Sequence, residues 1–281
     1  MGIWEKVGDR AGEGATLNNI SLIFFDQGDY VTALDYLKRS LLIREEIGDH
    51  AGESVALSNI SQIYDAQGDY VTALEYLERS AEIQRQIGDQ ASEGVTLNNI
   101  GQIYNAKGEY ATALGYLERS LEILQEIGDR RSEAVTLKNL ATLAHAQGDY
   151  SKALSYLEES LKLLQEIGDR AGEGSTLSNL AVHAHALGNY ATALDYLERS
   201  LQIQQKIGDI AGMATTLHNM GAICFEGKDI SGAVKYFLEA YSILNKIGSP
   251  NAKHPEEYLK AICEKIGKKE YQKLVEGMGG R

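Results

Sequence analysis

The chain repeats itself every 40 residues without insertion or deletion, and that period limits what it can fold into. Gly-x-Tyr recurs at Gly28-Asp29-Tyr30, Gly68-Asp69-Tyr70, Gly108-Glu109-Tyr110, Gly148-Asp149-Tyr150 and Gly188-Asn189-Tyr190, and loosens to Lys228-Asp229-Ile230. A second marker, Ile-Gly-Asp or a variant of it, closes each unit at Gly48, Gly88, Gly128, Gly168, Gly208 and Gly248. Self-similarity at a period between 20 and 50 residues is the mark of a stacked solenoid, in which each unit buries its apolar face against its neighbours. The array then counts as one elongated domain, where 281 residues would otherwise suggest one large or two ordinary domains.

Each unit reads as two helices. The first, about 11–26 in the first copy, places Leu17, Ile20, Ile23 and Phe24 on one face. The second, about 30–47, carries two apolar stripes, Leu34-Leu37-Leu41 and Tyr36-Ile43-Ile47, and a helix apolar on two sides is packed on two sides. The glycine of each Gly-Asp pair supplies a left-handed stop for one helix, and the aspartate caps the next. Glu13, Glu53, Glu93, Glu133 and Glu173 fall in the first turn of the first helix, where a carboxylate suits the macrodipole. Small residues recur where helices must cross closely: Ser21, Ser61 and Gly101 in one series, Ala33 to Ala233 in another, Ser40 to Ser200 and Ala240 in a third.

Six units span 9–48, 49–88, 89–128, 129–168, 169–208 and 209–248. Residues 1–8 read as the last turns of a helix from an absent unit or as an N-terminal cap, with Trp4 covering the end of the stack. Residues 249–281 read as capping helices (256–266 and 269–276) whose apolar set is Tyr258, Leu259, Ile262, Ile266, Tyr271 and Leu274, followed by a frayed tail at Gly277, Gly279 and Gly280.

Net charge is −13, which makes nucleic acid an improbable partner for the array. Residues 249–281 run against that trend, with seven Lys and Arg against five Glu. Two cysteines, Cys224 and Cys263, make no disulfide framework and fit a reduced, cytoplasmic setting. No stretch approaches the apolar length of a membrane span, and with no apolar signal region in the first residues export is not expected.

The order small residue, Tyr, Gly-x-Tyr, Ala, small residue, as in Ser61, Tyr64, Gly68-Asp69-Tyr70, Ala73 and Ser80, resembles the tetratricopeptide repeat. The 40-residue period and the Leu-x-Asn-[Ile/Leu] opening resemble the subclass found in kinesin light chains and Leu-Gly-Asn repeat proteins, and bacterial kinesin-light-chain-like proteins are a candidate group. The resemblance implies an all-α solenoid: six helical hairpins forming a right-handed superhelix, closed by C-terminal capping helices. It departs from the standard repeat where a terminal proline is replaced by Gly-Asp, and in the sixth unit, where Met213, Phe225, Lys228, Ile230 and Gly232 break the pattern.

Asn19, Asn59, Asn99, Asn139, Asn179 and Asn219 occupy one position of the first helix in all six units. Asparagine competes for backbone hydrogen bonds and is a poor helix-interior residue, so six placements need a reason. By resemblance this position points into the concave groove, where a column of amides can donate to and accept from the backbone of an extended peptide. The alternatives are that duplication copied the residue, or that each Asn bonds the adjacent repeat. Neutral hydrogen bonds contribute about 0.5–1.5 kcal/mol each, so such a ladder alone supports roughly micromolar affinity after ordering costs.

Neighbouring groove positions would give specificity: Asn18, Asn98, Lys138 and His218 in one column, Gln62 and Gln102 in the next, Asp65, Asn105, His145 and His185 in a third. The surface is mostly neutral, with Lys138 its one strong cation, which disfavours capture of a C-terminal carboxylate. His145 and His185 sit on successive first helices, with His183 expected to point elsewhere. No Cys or carboxylate cluster completes a metal site, and neither a metal nor a cofactor is expected.

Glu78-Arg79, Glu118-Arg119 and Glu198-Arg199 read as solvated surface, and no catalytic motif is present. The chain is therefore expected to be a non-enzymatic adaptor for a protein or peptide ligand, with a cytoskeletal partner as one form of that expectation. Two rivals remain at this stage: a membrane or filament tether through the basic C-terminal helices, or a sensor module cut from a larger enzyme.

Overall fold

The computed structural model describes residues 9–278. The helix remnant expected at residues 1–8, with Trp4, and the tail residues Gly279 and Gly280 lie outside them. Twelve helices follow one another as hairpins: α1 (Arg10–Asp26), α2 (Tyr30–Ile47), α3 (His50–Ala66), α4 (Tyr70–Ile87), α5 (Gln90–Ala106), α6 (Tyr110–Ile127), α7 (Arg130–Ala146), α8 (Tyr150–Glu166), α9 (Arg170–Ala186), α10 (Tyr190–Ile207), α11 (Ile210–Glu226) and α12 (Ile230–Lys246). A 3₁₀ turn (Pro250–Ala252), α13 (Lys253–Ile266) and α14 (Lys268–Met278) complete the described chain. Gly277, expected in a frayed tail, is inside α14. The protein is an all-α solenoid, and it divides into two compact units, residues 1–143 and 144–281, with the boundary inside α7.

The Gly-Asp dipeptide performs both of its tasks. The Gly28 N–H donates to the Phe25 carbonyl and the Asp29 N–H to the Phe24 carbonyl, both at 2.9 Å, and Gly28 has φ +77°. This is the Schellman closure, which places the C′ residue in the left-handed region. Asp29 then accepts from the Thr32 N–H as N-cap of α2. Asp9, Asp49, Asp69, Asp89, Asp149, Asp169, Asp209 and Asp229 cap their helices in the same way. Glu109 and Asn189, standing where the other units have Asp, make no side-chain cap bond. Lys228 replaces the turn glycine of the sixth unit at φ +65°, the one non-glycine residue with positive φ among those described.

The core forms between hairpins as well as within them. Ala33, Leu37 and Leu41 of α2 pack with Ala56, Leu57, Ile60 and Ile63 of α3 in one cluster. Ile23, read as a core residue, is 57% exposed, whereas its equivalents Ile63 and Ile103 are 1% and 4% exposed. Those two are covered by the second helix of the preceding hairpin, and α1 has no such helix before it among the described residues. Ile47 and its equivalents lie at the helix ends and stay 38–49% exposed, so the second stripe of α2 ends at Ile43.

The serine series is more than a small-residue crossing. The Ser40, Ser80, Ser120 and Ser200 hydroxyls donate to the carbonyls of Gly14, Ser54, Gly94 and Gly174 at 2.7–2.9 Å, tying the second helix of a hairpin to the first. The first-turn glutamates are likewise part of the packing: Glu53, Glu93, Glu133 and Glu173 are buried. Arg85 and Gln125, near the end of the preceding helix, reach Glu93 and Glu133 at 3.2 and 3.0 Å, and Gln165 reaches Glu173 at 3.0 Å. Arg79 bonds Glu53 and also Glu45 (2.5 Å), so it is a cross-hairpin tie instead of the solvated residue its dipeptide suggests.

Candidate functional site: the asparagine face of the first unit

The asparagine column lies on the first helix of each hairpin. Asn19 and Asn179 are exposed; Asn59, Asn99, Asn139 and Asn219 are half-buried. Two of them bond the preceding hairpin: Asn59 Nδ2 donates to Asn18 Oδ1 at 2.9 Å, and Asn139 Nδ2 to Asn98 Oδ1 at 2.8 Å. The rule is local. Where the residue before the column asparagine is itself Asn, as at 18 and 98, its amide reaches across to the next hairpin. Where it is Ser, the hydroxyl turns inward: Ser58 bonds Ser80 at 2.9 Å and Ser178 bonds Ser200 at 3.0 Å.

In the first unit these bonds join into a chain of amides. Asn139 donates to Asn98, Asn98 Nδ2 to Asn99 Oδ1 (3.4 Å), and Gln102 Nε2 to the same Asn99 oxygen (3.5 Å). Asn98 is buried and serves as the internal link. The Asn99 Nδ2 group donates to no described protein atom. A cleft of about 430 Å³ opens beside it, lined by Gln62, Asp65, Tyr70, Asn99, Gln102 and Ala106 among others. A second cleft, about 370 Å³, is lined by Asn18, Asn19 and Val55 with Arg44 and Asp49.

Three valines escaped the sequence reading. Val55, Val95 and Val135 precede Asn59, Asn99 and Asn139 by four residues, share their helix face, and are 40–49% exposed. Their 40-residue recurrence was the available signal. Asp65 also lines the main cleft, at a solvent-exposed position, and makes no side-chain hydrogen bond or ion pair among the described residues; the protein around it removes part of its hydration and pushes its carboxyl pKa up.

The second unit uses the equivalent surface differently. His145 meets His183, Nδ1 to Nδ1 at 3.1 Å, and not His185. His183 is 7% exposed and takes a position that is Ile or Leu in the other hairpins. Burial, with His145 beside it, pushes its pKa down. His185 Nε2 lies 2.7 Å from Glu226 Oε2. His218 packs on Phe237 and on Tyr258 of α13, with ring centroids 5.4 and 5.6 Å apart, so the protein's own C-terminal helix occupies that end of the surface. Burial first, and His254 second, lower its pKa. Lys138, at the end of the first unit, is half-buried. Among the described residues no group of three or more His, Cys, Asp or Glu is placed to hold a metal ion, and no helix is long and apolar enough to cross a membrane.

Most of the apolar set of the C-terminal helices faces inward, although Tyr258 is 36% exposed and Leu274 lies outside the core cluster, where Val275 takes its place. Leu259 and Ile262 are buried, and Ile266, Tyr271 and Val275 join the cluster around Phe237. Lys260 pairs with Glu256 and Lys273 with Glu270, while Lys265 lies over the Phe225 ring.

The sequence signature of the tetratricopeptide repeat matches residues 12–86, 92–166 and 173–246, and a second signature of the same description matches 138–206. The chain belongs to the tetratricopeptide repeat family, whose repeats generally serve as protein-binding modules. No curated protein matches it. Among solved structures it is similar to BtubC (BKLC) from P. vanneervenii, at TM-score 0.67 and 19% identity over 79% of this chain and 90% of that one. A Rap protein complexed with Competence and Sporulation Factor gives TM-score 0.65 and 14% identity, over 93% and 76%. A signal-transduction ATPase with a tetratricopeptide repeat sensor, from Pyrococcus horikoshii, gives 0.69 and 20%, over 85% of this chain and 38% of that one.

Proposed function

We propose that this protein is a scaffold that holds an extended peptide segment of a protein partner on the asparagine face of its first unit. The observation that carries the reading is the amide chain Asn139–Asn98–Asn99–Gln102 beside an open cleft. Amides held by one another cannot rotate freely. They therefore lose less side-chain entropy when a ligand arrives, a cost of about 0.5–1.5 kcal/mol for each side chain that must be ordered. Asn59 and Asn139 each commit one N–H inward and keep their carbonyl oxygen and second N–H for a peptide backbone.

The inward-facing apolar set of α13 and α14 favours this reading over a membrane tether, which needs that face outside. Capture from a lysate with mass spectrometry, using the intact protein and an Asn59/Asn99/Asn139→Ala variant, tests the proposal. A protein held by the first and lost by the second, with helicity equal by circular dichroism, is the expected result. A partner retained equally by both would overturn it.

A further inference from the structure

The chemistry of the partner segment can be drawn from the same face, and the inference rests on the groove reading above. The two first helices that flank the main cleft, α3 and α5, contain no lysine or arginine. Their three acidic residues are Glu53, Asp65 and Glu93. Glu53 is buried against Arg79, and Glu93 against Arg85. Asp65 alone of the three has no cationic partner, and it lines the cleft among the neutral amides of Gln62, Asn99 and Gln102. An unpaired carboxylate in a partly desolvated, amide-lined cleft is complementary to a cation. The raised carboxyl pKa of Asp65 reports the same desolvation.

The other edge of the asparagine column is apolar. A helix rises about 1.5 Å per residue, so Val55 lies about 6 Å along α3 from Asn59, and Asp65 about 9 Å along it in the opposite direction. Successive side chains of an extended strand point to opposite sides. A segment lying along the column therefore presents one row of side chains to the valines and the other to the Asp65 side. Val55, Val95 and Val135 follow one another at one per hairpin. The second unit offers neither edge. Ser175 and Thr215 stand at the valine position, and His185, which stands where the first unit has Asp65, is occupied by Glu226.

We propose that the segment bound by the first unit is amphipathic in the extended state, with a lysine or arginine seated at Asp65 and apolar side chains seated on Val55, Val95 and Val135.

The test is selection of 12-residue peptides from a random phage-displayed library on the full chain, with parallel selections on Asp65→Asn, Asp65→Lys and Val55/Val95/Val135→Ser variants. On the unaltered protein the expected pool is enriched at least tenfold in Lys or Arg interleaved with apolar residues. Asp65→Asn should remove the basic enrichment, Asp65→Lys should replace it with an acidic one, and the serine variant should remove the apolar enrichment. Pools that lose binding on Asn59/Asn99/Asn139→Ala but carry no basic residue, or that are the same on Asp65→Asn, overturn this inference and leave the groove reading intact. Peptides indifferent to the three asparagines, or an empty selection, overturn both.

Discussion

The two units are built from one repeat and differ in what they do with the same surface positions. In the first, Phe24–Tyr36, Tyr64–Tyr76 and Tyr104–Tyr116 stack within their hairpins, with centroids 5.5–5.7 Å apart and planes within 13°. Their first-helix partners become Ala144, Ala184 and Cys224 in the second unit. There the first helices carry His145, His183, His185 and His218, and each of these rings is engaged by another group of the same unit. The first unit closes its core with aromatics and leaves amides and valines on the first-helix face. The second engages much of that face in internal contacts and in seating α13, while Asn179 and Val182 stay exposed. A common repeat thus leaves its first-helix face largely open in one unit and largely engaged within the protein in the other.

The largest expected effect lies in the second unit. Phe237 is fully buried and stacks on Tyr258 of α13 with centroids 4.6 Å apart. Phe237→Ala should cost about 3–5 kcal/mol, a figure typical of large-to-small core changes. Urea denaturation followed by hydrogen exchange should place the loss in residues 144–278 and leave the first unit protected. Loss of protection spread equally over both units would show that they are not separable in stability.

Ser120→Ala is the corresponding probe of the first unit. It removes the hydroxyl that donates to the Gly94 carbonyl and lies 3.2 Å from the Thr136 hydroxyl; the carbonyl keeps its helical N–H partner, so the cost should be about 0.5–1.5 kcal/mol, that of one hydrogen bond. The sixth hairpin carries Ala240 at this position and holds together without the bond. In the opposite direction, Lys228→Gly relieves a left-handed non-glycine residue and should stabilise the second unit by about 1 kcal/mol, measured by the urea midpoint.

The smallest effect is on pH. His183 and His218 both have folded pKa values below the ordinary 6.5, so the unfolded chain binds their protons more readily. Stability from these groups is complete above about pH 6.5 and is lost as pH falls from there through the depressed folded values. The second unit should therefore weaken before the first on mild acidification, and His183→Leu should flatten part of that slope. An unchanged slope in the variant would assign the acid sensitivity elsewhere.

Much of this was legible in the sequence. The 40-residue period fixed the hairpins, and the Gly-Asp dipeptide announced both closure and cap, because only local backbone chemistry is involved. Contacts between hairpins were harder to read. The pairing of Asn59 with Asn18 and of His145 with His183 depends on offsets of 41 and 38 residues, which arise from how successive helices lie against each other and not from either helix alone. Ile23 failed as a core residue for the same reason: its pattern matches Ile63, but burial is conferred by the neighbouring hairpin. Of the candidate site, the asparagine column and the place of Asp65 beside it were visible, whereas the lack of a partner for Asp65 and the exposure of the recurring valines were not, since both depend on what the neighbouring helices bring up.

The central claim, that binding belongs to the asparagine face of the first unit, is tested most directly by titrating a labelled segment of the captured partner against two variants of the full chain. Asn59/Asn99/Asn139→Ala should weaken binding at least tenfold, and Asn179/Asn219→Ala, the same change in the second unit, should leave it within about twofold, the equivalent of about 0.4 kcal/mol. Equal losses in both variants, or a loss confined to the second, would contradict the account.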